Sequence, residues 1–224
     1  KELKIKTGRG GRWMMPEAGM RRDIDVVLGV REAVGPDVKI YVDANFGYDN
    51  HLDLLDQFIG EVTPANIFWF EEPVPVESWK ALKQVREQIS PRISVGERLH
   101  TRWDFVPIFE NNLADYIMPD VTWTGGITEL KKIATMAEAY YIPISPHDAS
   151  GPINVIAGAQ VMLGVPNFYK LETARHRLDA YDVFIETPID VREGSLHVPD
   201  APGLGIEINM DFLRANADEN YRGD

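Results

Sequence analysis

Ile67-Phe68-Trp69-Phe70-Glu71-Glu72-Pro73 is a short apolar run that stops on a carboxylate and is closed by proline. The same design recurs along the chain. Asp43 ends Ile40-Tyr41-Val42, Glu97 follows Ile93-Ser94-Val95-Gly96, and Asp120 follows Tyr116-Ile117-Met118-Pro119. His147 follows Ile142-Pro143-Ile144-Ser145-Pro146, and Glu172 follows Phe168-Tyr169-Lys170-Leu171. Lys4-Ile5-Lys6 closes an earlier stretch of the same type. Successive polar ends are spaced by about 25 residues, room for one strand, one helix and their loops. One polar residue per strand end, repeated this often, predicts a parallel sheet whose carboxyl ends converge on one site.

The stretches between the strands carry helical spacing. Ile24, Val27, Leu28 and Val30 form one apolar face before Gly35-Pro36, and Leu52, Leu54, Leu55, Phe58 and Ile59 another. Helices also follow at Trp79–Val85, Phe105–Phe109, Ile127–Ala139 and Ile153–Leu163. Strand candidates are Leu3–Thr7, Val38–Val42, Ile67–Phe70, Ile93–Val95, Tyr116–Met118, Ile142–Ile144 and Asn167–Leu171. This α/β alternation predicts a (β/α)8-type barrel over residues 1–184 that is one strand short at its N-terminus. An open doubly wound sheet is the alternative, but its ligands gather at one switch point rather than at every strand end. From Ile185 to the end, residues 185–224 read as a C-terminal segment of turns and short strands outside the repeat.

Bulk properties bound the function. A chain of 224 residues is ample for one buried core. The net charge of −12, with no basic stripe against it, excludes a general nucleic-acid or membrane-surface binder. The absence of cysteine removes thiolate metal sites and cysteine nucleophiles, and fits a reducing cytoplasm. No apolar run approaches the ~20 residues of a membrane span. The chain opens on Lys1-Glu2-Leu3-Lys4 rather than on Met or a signal peptide, so an upstream segment is expected.

Asp43, Glu71 and Glu97 end three successive strands with no His or Cys among them. Three hard oxygen donors suit Mg²⁺, which leaves positions open for substrate oxygens. Each carboxylate taken alone could instead cap the following helix. Lys4 and Lys6 project to one face of a strand; if that face is the barrel interior, each ammonium lowers the other's pKa, and one becomes a candidate base. Solvated lysines on a fraying strand are the alternative. Asp120 and His147 end neighbouring strands, where a carboxylate fixes the tautomer of an imidazole and favours its charged form. Glu172 either donates to a substrate oxygen when protonated or pairs with Arg175.

In this order, Lys4-Ile5-Lys6, Asp43-Ala44-Asn45, Trp69-Phe70-Glu71-Glu72-Pro73, Gly96-Glu97, Asp120 before Gly125-Gly126-Ile127-Thr128-Glu129, and His147 resemble the enolase superfamily. The similarity is to its mandelate racemase/muconate lactonizing enzyme group and runs from Lys4 to about Leu204, including the closing Pro199–Gly205 segment. The resemblance implies that Asp43, Glu71 and Glu97 hold Mg²⁺, with the first Glu of Glu-Glu-Pro as the ligand. It implies Lys6 as the base on one substrate face and His147, paired with Asp120, as the acid/base on the other. Lys4 would lie near the substrate carboxylate, Glu172 would hydrogen-bond an enediolate oxygen, and Asn45 would line the pocket. Members carry an α+β capping domain before the barrel, and the lysine motif closes their second barrel strand. Both the cap and the first strand lie outside this chain, and the C-terminal segment is expected to pack toward the cap.

These readings predict a Mg²⁺-dependent lyase that takes the proton α to a carboxylate, its partner being a small-molecule carboxylate and its assembly a homo-oligomer. Arg9, Arg12, His100, Arg102, Arg175 and His176 beyond the strand ends suit a polyhydroxylated substrate, unless they pair with surface acids. Sugar-acid dehydration is therefore favoured over racemisation or epimerisation of a 2-hydroxy acid. A non-catalytic barrel used for binding is the rival from another class; against it, every expected catalytic position is filled.

Overall fold

In the computed structural model, residues 1–8, 13–49, 51–173 and 180–217 are described. Period-two alternation sets which way each strand residue faces. In β2 (Lys39–Asp43), Ile40 and Val42 turn outward into the main core, while Tyr41 and Asp43 turn inward. β3 (Trp69–Glu71) repeats this, with Phe70 outward and Trp69 and Glu71 inward. β1 (Glu2–Lys6), β2, β3, β4 (Arg92–Val95) and β5 (Tyr116–Ile117) pair in chain order as one parallel sheet. The register places Lys6 beside Asp43, Asp43 beside Glu71, and Glu71 beside Ser94, so their side chains share one level.

The sixth and seventh predicted strands continue the curve through single parallel bridges, Ile117–Ile144 and Ile144–Phe168, rather than longer ladders. Pro143 and Pro146 on either side of Ile144 have no N–H to donate, which shortens the pairing. Their carbonyls still accept, from the N–H of Ile117 at 3.1 Å and of Glu172 at 3.1 Å. The curve then returns toward its start. Tyr41 and Tyr169 hydroxyls lie 3.2 Å apart, and Lys170 meets Glu2. Among the described residues these two sheet edges meet through side chains, with no backbone ladder between them.

α1 (Pro16–Val34) starts a full two turns before the expected Ile24, because Pro16 at its first turn needs no intrahelical donor. α2 (Leu52–Val62), α3 (Trp79–Gln88), α4 (Arg102–Glu110), α6 (Ile127–Ala139) and α7 (Pro152–Met162) cover the outer face. One-turn α5 (Val121–Thr124) was not expected; Asp120 caps it. Phe58, Phe70 and Phe105 are fully buried between helices and strands, each worth about 1.5–3 kcal/mol by burial. Inside the barrel, Tyr41, Trp69, Tyr116 and Tyr169 form an aromatic floor, with Trp69 and Tyr116 centroids 5.1 Å apart.

The C-terminal segment holds an antiparallel pair, β6 (Val191–Arg192) with β7 (Ser195–Leu196), and a final helix, α8 (Met210–Asn216). Gln160 of α7 ties it down by donating to the carbonyls of Pro199 at 3.1 Å and Leu204 at 3.3 Å. No helix among the described residues is long and apolar enough to cross a membrane.

Candidate active site

In β2 and β3 the inward residue two places above the floor aromatic is a carboxylate: Asp43 above Tyr41, Glu71 above Trp69. Glu97 arrives differently. Ser94 faces inward, so a regular strand would turn Glu97 outward. Gly96, at φ +127°, reverses that parity, and a Cβ there would lie 2.8 Å from the Phe105 ring. The result is that Asp43, Glu71 and Glu97 offer oxygens within 4.8 Å of one another, all buried. None of the three caps a helix; Asp43 Oδ1 instead accepts from the Asn45 N–H at 2.8 Å.

Three carboxylates this close repel one another. Burial pushes Glu71 well above the usual range, Asp43 and Glu172 add to this, and Lys4 opposes it. Glu97 Oε2 is buried and accepts no hydrogen bond. An all-oxygen, anionic set with an orphaned oxygen fits a hard divalent cation.

Lys4 Nζ lies 2.8 Å from Glu71 Oε1 and 3.8 Å from Asp43 Oδ2, and also contacts Glu172. The lowered lysine pKa expected from the Lys4–Lys6 pair is not found at Lys4. Burial lowers it, but Glu71, Glu172 and Asp43 together outweigh burial and raise it above the ordinary value. The two ammonium groups are separated by carboxylates instead of facing each other. Lys6 Nζ contacts Asp43 Oδ2 and stays half-exposed.

At the other end of the carboxylate row, His147 Nδ1 lies 2.8 Å from Asp120 Oδ2 and its Nε2 3.5 Å from Glu97 Oε2. Asp120 is fixed by the N–H and hydroxyl of Thr122 at 2.8 and 2.6 Å, as the cap of α5. The capping reading and the dyad reading therefore hold together for this residue. Burial lowers the His147 pKa, but the Asp120 hydrogen bond, with Glu172 and Glu97, raises it more. An Asp-held imidazole thus points its other nitrogen at the carboxylate centre.

The sequence matches the family described as enolase C-terminal domain-like over residues 1–212. The chain belongs to the enolase superfamily. It is 30% identical to a D-xylonate dehydratase from Haloferax volcanii, the match covering 86% of this chain and 46% of that protein. It is 32% identical to an arabinonate dehydratase from Saccharolobus solfataricus, over 93% of this chain and 53% of that one. It therefore spans about half the length of the curated relatives it matches. Its fold is similar to that of a 3,6-anhydro-D-galactonate cycloisomerase from Zobellia galactanivorans, with a TM-score of 0.85, 29% identity, and coverage of 98% and 59%. It also resembles an enolase from Bradyrhizobium complexed with magnesium and mandelic acid, with a TM-score of 0.80, 27% identity, and coverage of 96% and 54%.

In this enolase-superfamily barrel all nine expected site residues converge, though not always as expected. Asn45 does more than line the pocket, since its Nδ2 donates to Glu97 Oε1 at 3.0 Å and so ties two carboxylate loops together. Glu172 meets Lys4; its alternative partner Arg175 lies outside the described residues, as do Arg9, Arg12 and His176. Arg102 is corrected: it forms a two-pronged pair with Glu129 at 2.7 Å and is not free for a substrate hydroxyl. His100 turns to the Trp123 carbonyl at 3.2 Å.

Sequence reasoning missed several supports. Trp69 Nε1 donates to Glu71 Oε2 at 3.1 Å. Glu72, also buried, accepts from the N–H groups of Gly96 at 2.6 Å and Glu97 at 3.3 Å, pinning the turn that reverses Glu97. Burial pushes the Glu72 carboxyl up to about 8. Arg98 sits on the rim over the Phe46 ring at 4.4 Å. The Glu-Glu-Pro motif signalled Glu72; nothing in the sequence signalled Arg98.

Proposed function

We propose that this barrel is the catalytic part of a Mg²⁺-dependent enzyme that dehydrates a sugar acid to a 2-keto-3-deoxy acid. The observation that carries this is the buried Asp43–Glu71–Glu97 cluster, flanked by Lys6 at the Asp43 end and His147 at the Glu97 end. The relatives named as D-xylonate and arabinonate dehydratases support the substrate class. Mg²⁺, when bound by these three carboxylates, supplies positive charge where the substrate carboxylate gains negative charge.

The chain's own residues do the rest. Lys6 Nζ takes the proton from C2, breaking the C–H bond. Glu172, whose Oε1 meets Lys4, would donate to a substrate carboxylate oxygen when protonated. His147 Nε2–H protonates the hydroxyl leaving C3, which departs as water. Ketonisation of the resulting enol, with a proton added at C3, gives the 2-keto acid. Asp120 keeps the second His147 proton on Nδ1, so that Nε2 faces the centre.

The test is incubation of the full-length protein with a panel of sugar acids in D₂O, comparing wild type with His147→Asn. Wild type should form 2-keto acid and the variant should lose turnover. Deuterium entering C2 with inverted configuration and no keto product would replace this reading with a racemase.

A further inference from the structure

The carboxylate that holds His147 is itself held from behind. Asp120 Oδ2 accepts from His147 Nδ1 at 2.8 Å and from Asn154 Nδ2 at 3.1 Å. The same Asn154 nitrogen donates to Asp148 Oδ1 at 2.8 Å, so its two hydrogens serve two carboxyl groups. Asp120, Asp148 and Asn154 are 0%, 2% and 3% exposed. Asn154 Oδ1 and Asp148 Oδ2 are buried and accept no hydrogen bond. Burying an unpaired acceptor is costly, and here two such acceptors belong to groups already joined. A proton on Asp148 Oδ2 would relieve both at once, donating to Asn154 Oδ1 while Asn154 donates back to Asp148 Oδ1.

We propose that Asp148, carrying a proton, and Asn154 form a buried cyclic acid–amide pair that aims the second amide hydrogen at Asp120 and thereby positions His147. Burial pushes the Asp148 carboxyl up to about 6 and Asp120 adds to this, while Asn154, the Ser150 amide and His147 pull the other way. A neutral acid also suits the place better than an anion, because Asp120 already carries the negative charge that His147 needs. Asp148 and Asn154 are positioning residues, since neither touches the carboxylate centre. The catalytic consequence rests on the reading of His147 as the acid; the pair itself does not.

Asp148→Asn and Asp148→Ala, compared below about pH 6 where Asp148 keeps its proton, separate the possibilities in the full-length protein. An amide supplies the donor and the acceptor of a neutral acid, so Asp148→Asn keeps the cycle, whereas Asp148→Ala deletes it. Asp148→Asn should hold kcat within about threefold, while Asp148→Ala should lower kcat about 10–100-fold with KM little changed. In protein labelled with ¹⁵N-histidine, the His147 Nδ1–H resonance should persist in Asp148→Asn and be lost to exchange in Asp148→Ala. Equal damage from both substitutions would overturn the pair, because Asp148 would then act as an anion. An unchanged resonance in Asp148→Ala would overturn the positioning role. If Asp148→Ala does not fold, Asp148→Asn decides alone, a loss beyond tenfold or of the resonance counting against the pair. Should His147→Asn prove fully active, the reaction reading fails while the resonance still tests the pair.

Discussion

Glu71 carries two hydrogen bonds of different kinds, one from the Lys4 ammonium and one from the Trp69 indole. The ammonium can leave when a cation arrives, but the indole is locked in the aromatic floor and keeps Glu71 Oε2 oriented. Trp69→Phe keeps an aromatic ring in the floor, smaller than the indole, and removes the donor, so Mg²⁺ affinity should fall about tenfold, with some loss of melting temperature from the space left. Calorimetric titration giving an unchanged Kd would reduce Trp69 to a packing residue. Asp148 has a different signature. Folded, it holds its proton up to about pH 6, whereas an ordinary aspartate releases it near 3.8. The folded state therefore binds more protons in that window, and stability should decline as pH rises from 3.8 to about 6. The difference in melting temperature between Asp148→Asn and wild type should grow in favour of the variant across the same window. A flat difference would show that Asp148 ionises normally.

Elements meet the site through two glycines. The loop after β1 crosses the loop after β2 where Gly8 faces Gly47, and a Cβ on Gly47 would lie 2.0 Å from the Gly8 carbonyl oxygen. Asp23 of α1 holds this crossing by accepting from the Gly8 N–H at 2.6 Å and the Tyr48 hydroxyl at 3.0 Å. Since Lys6 and Asp43 stand just before the crossing, Gly47→Ala should cost about 1–3 kcal/mol and weaken Mg²⁺ binding as well. Gly60, inside α2 with nothing within 4 Å of its Cβ position, is the control. There, alanine should stabilise by about 0.5–1 kcal/mol. Urea melts showing the same sign at both positions would contradict this account. The elements were legible where an apolar run stops on a charge: Ile40-Tyr41-Val42 ends on Asp43, so β2 could be read directly although both of its faces are buried. The one-turn α5 was not, because four residues are too few to show a period.

For the whole molecule, the consequence of crowding three buried carboxylates is that a bound cation should stabilise the fold. At a Mg²⁺ concentration of about 100 times Kd, linkage adds about 2.7 kcal/mol. Wild type should melt higher with Mg²⁺ and lower with a chelator, and Glu71→Gln should show neither shift. An equal shift in the variant would mean that the ion binds elsewhere. The sequence by itself determined the parallel α/β repeat and which residues stand at the strand ends, because apolar runs and their polar stops are local patterns. Tertiary structure alone decided how those ends combine. Lys4 and Glu71 are 67 positions apart, yet their contact, with Asp43 and Glu172, reverses the expected direction of the Lys4 pKa. Glu97 faces inward only because Gly96 breaks the strand parity and Glu72 pins the turn from the neighbouring strand. The Asp120–Asn154–Asp148 chain likewise joins a strand end, a helix and a loop. Electrostatics depends on distance in space, and distances between strands are set only when the sheet closes.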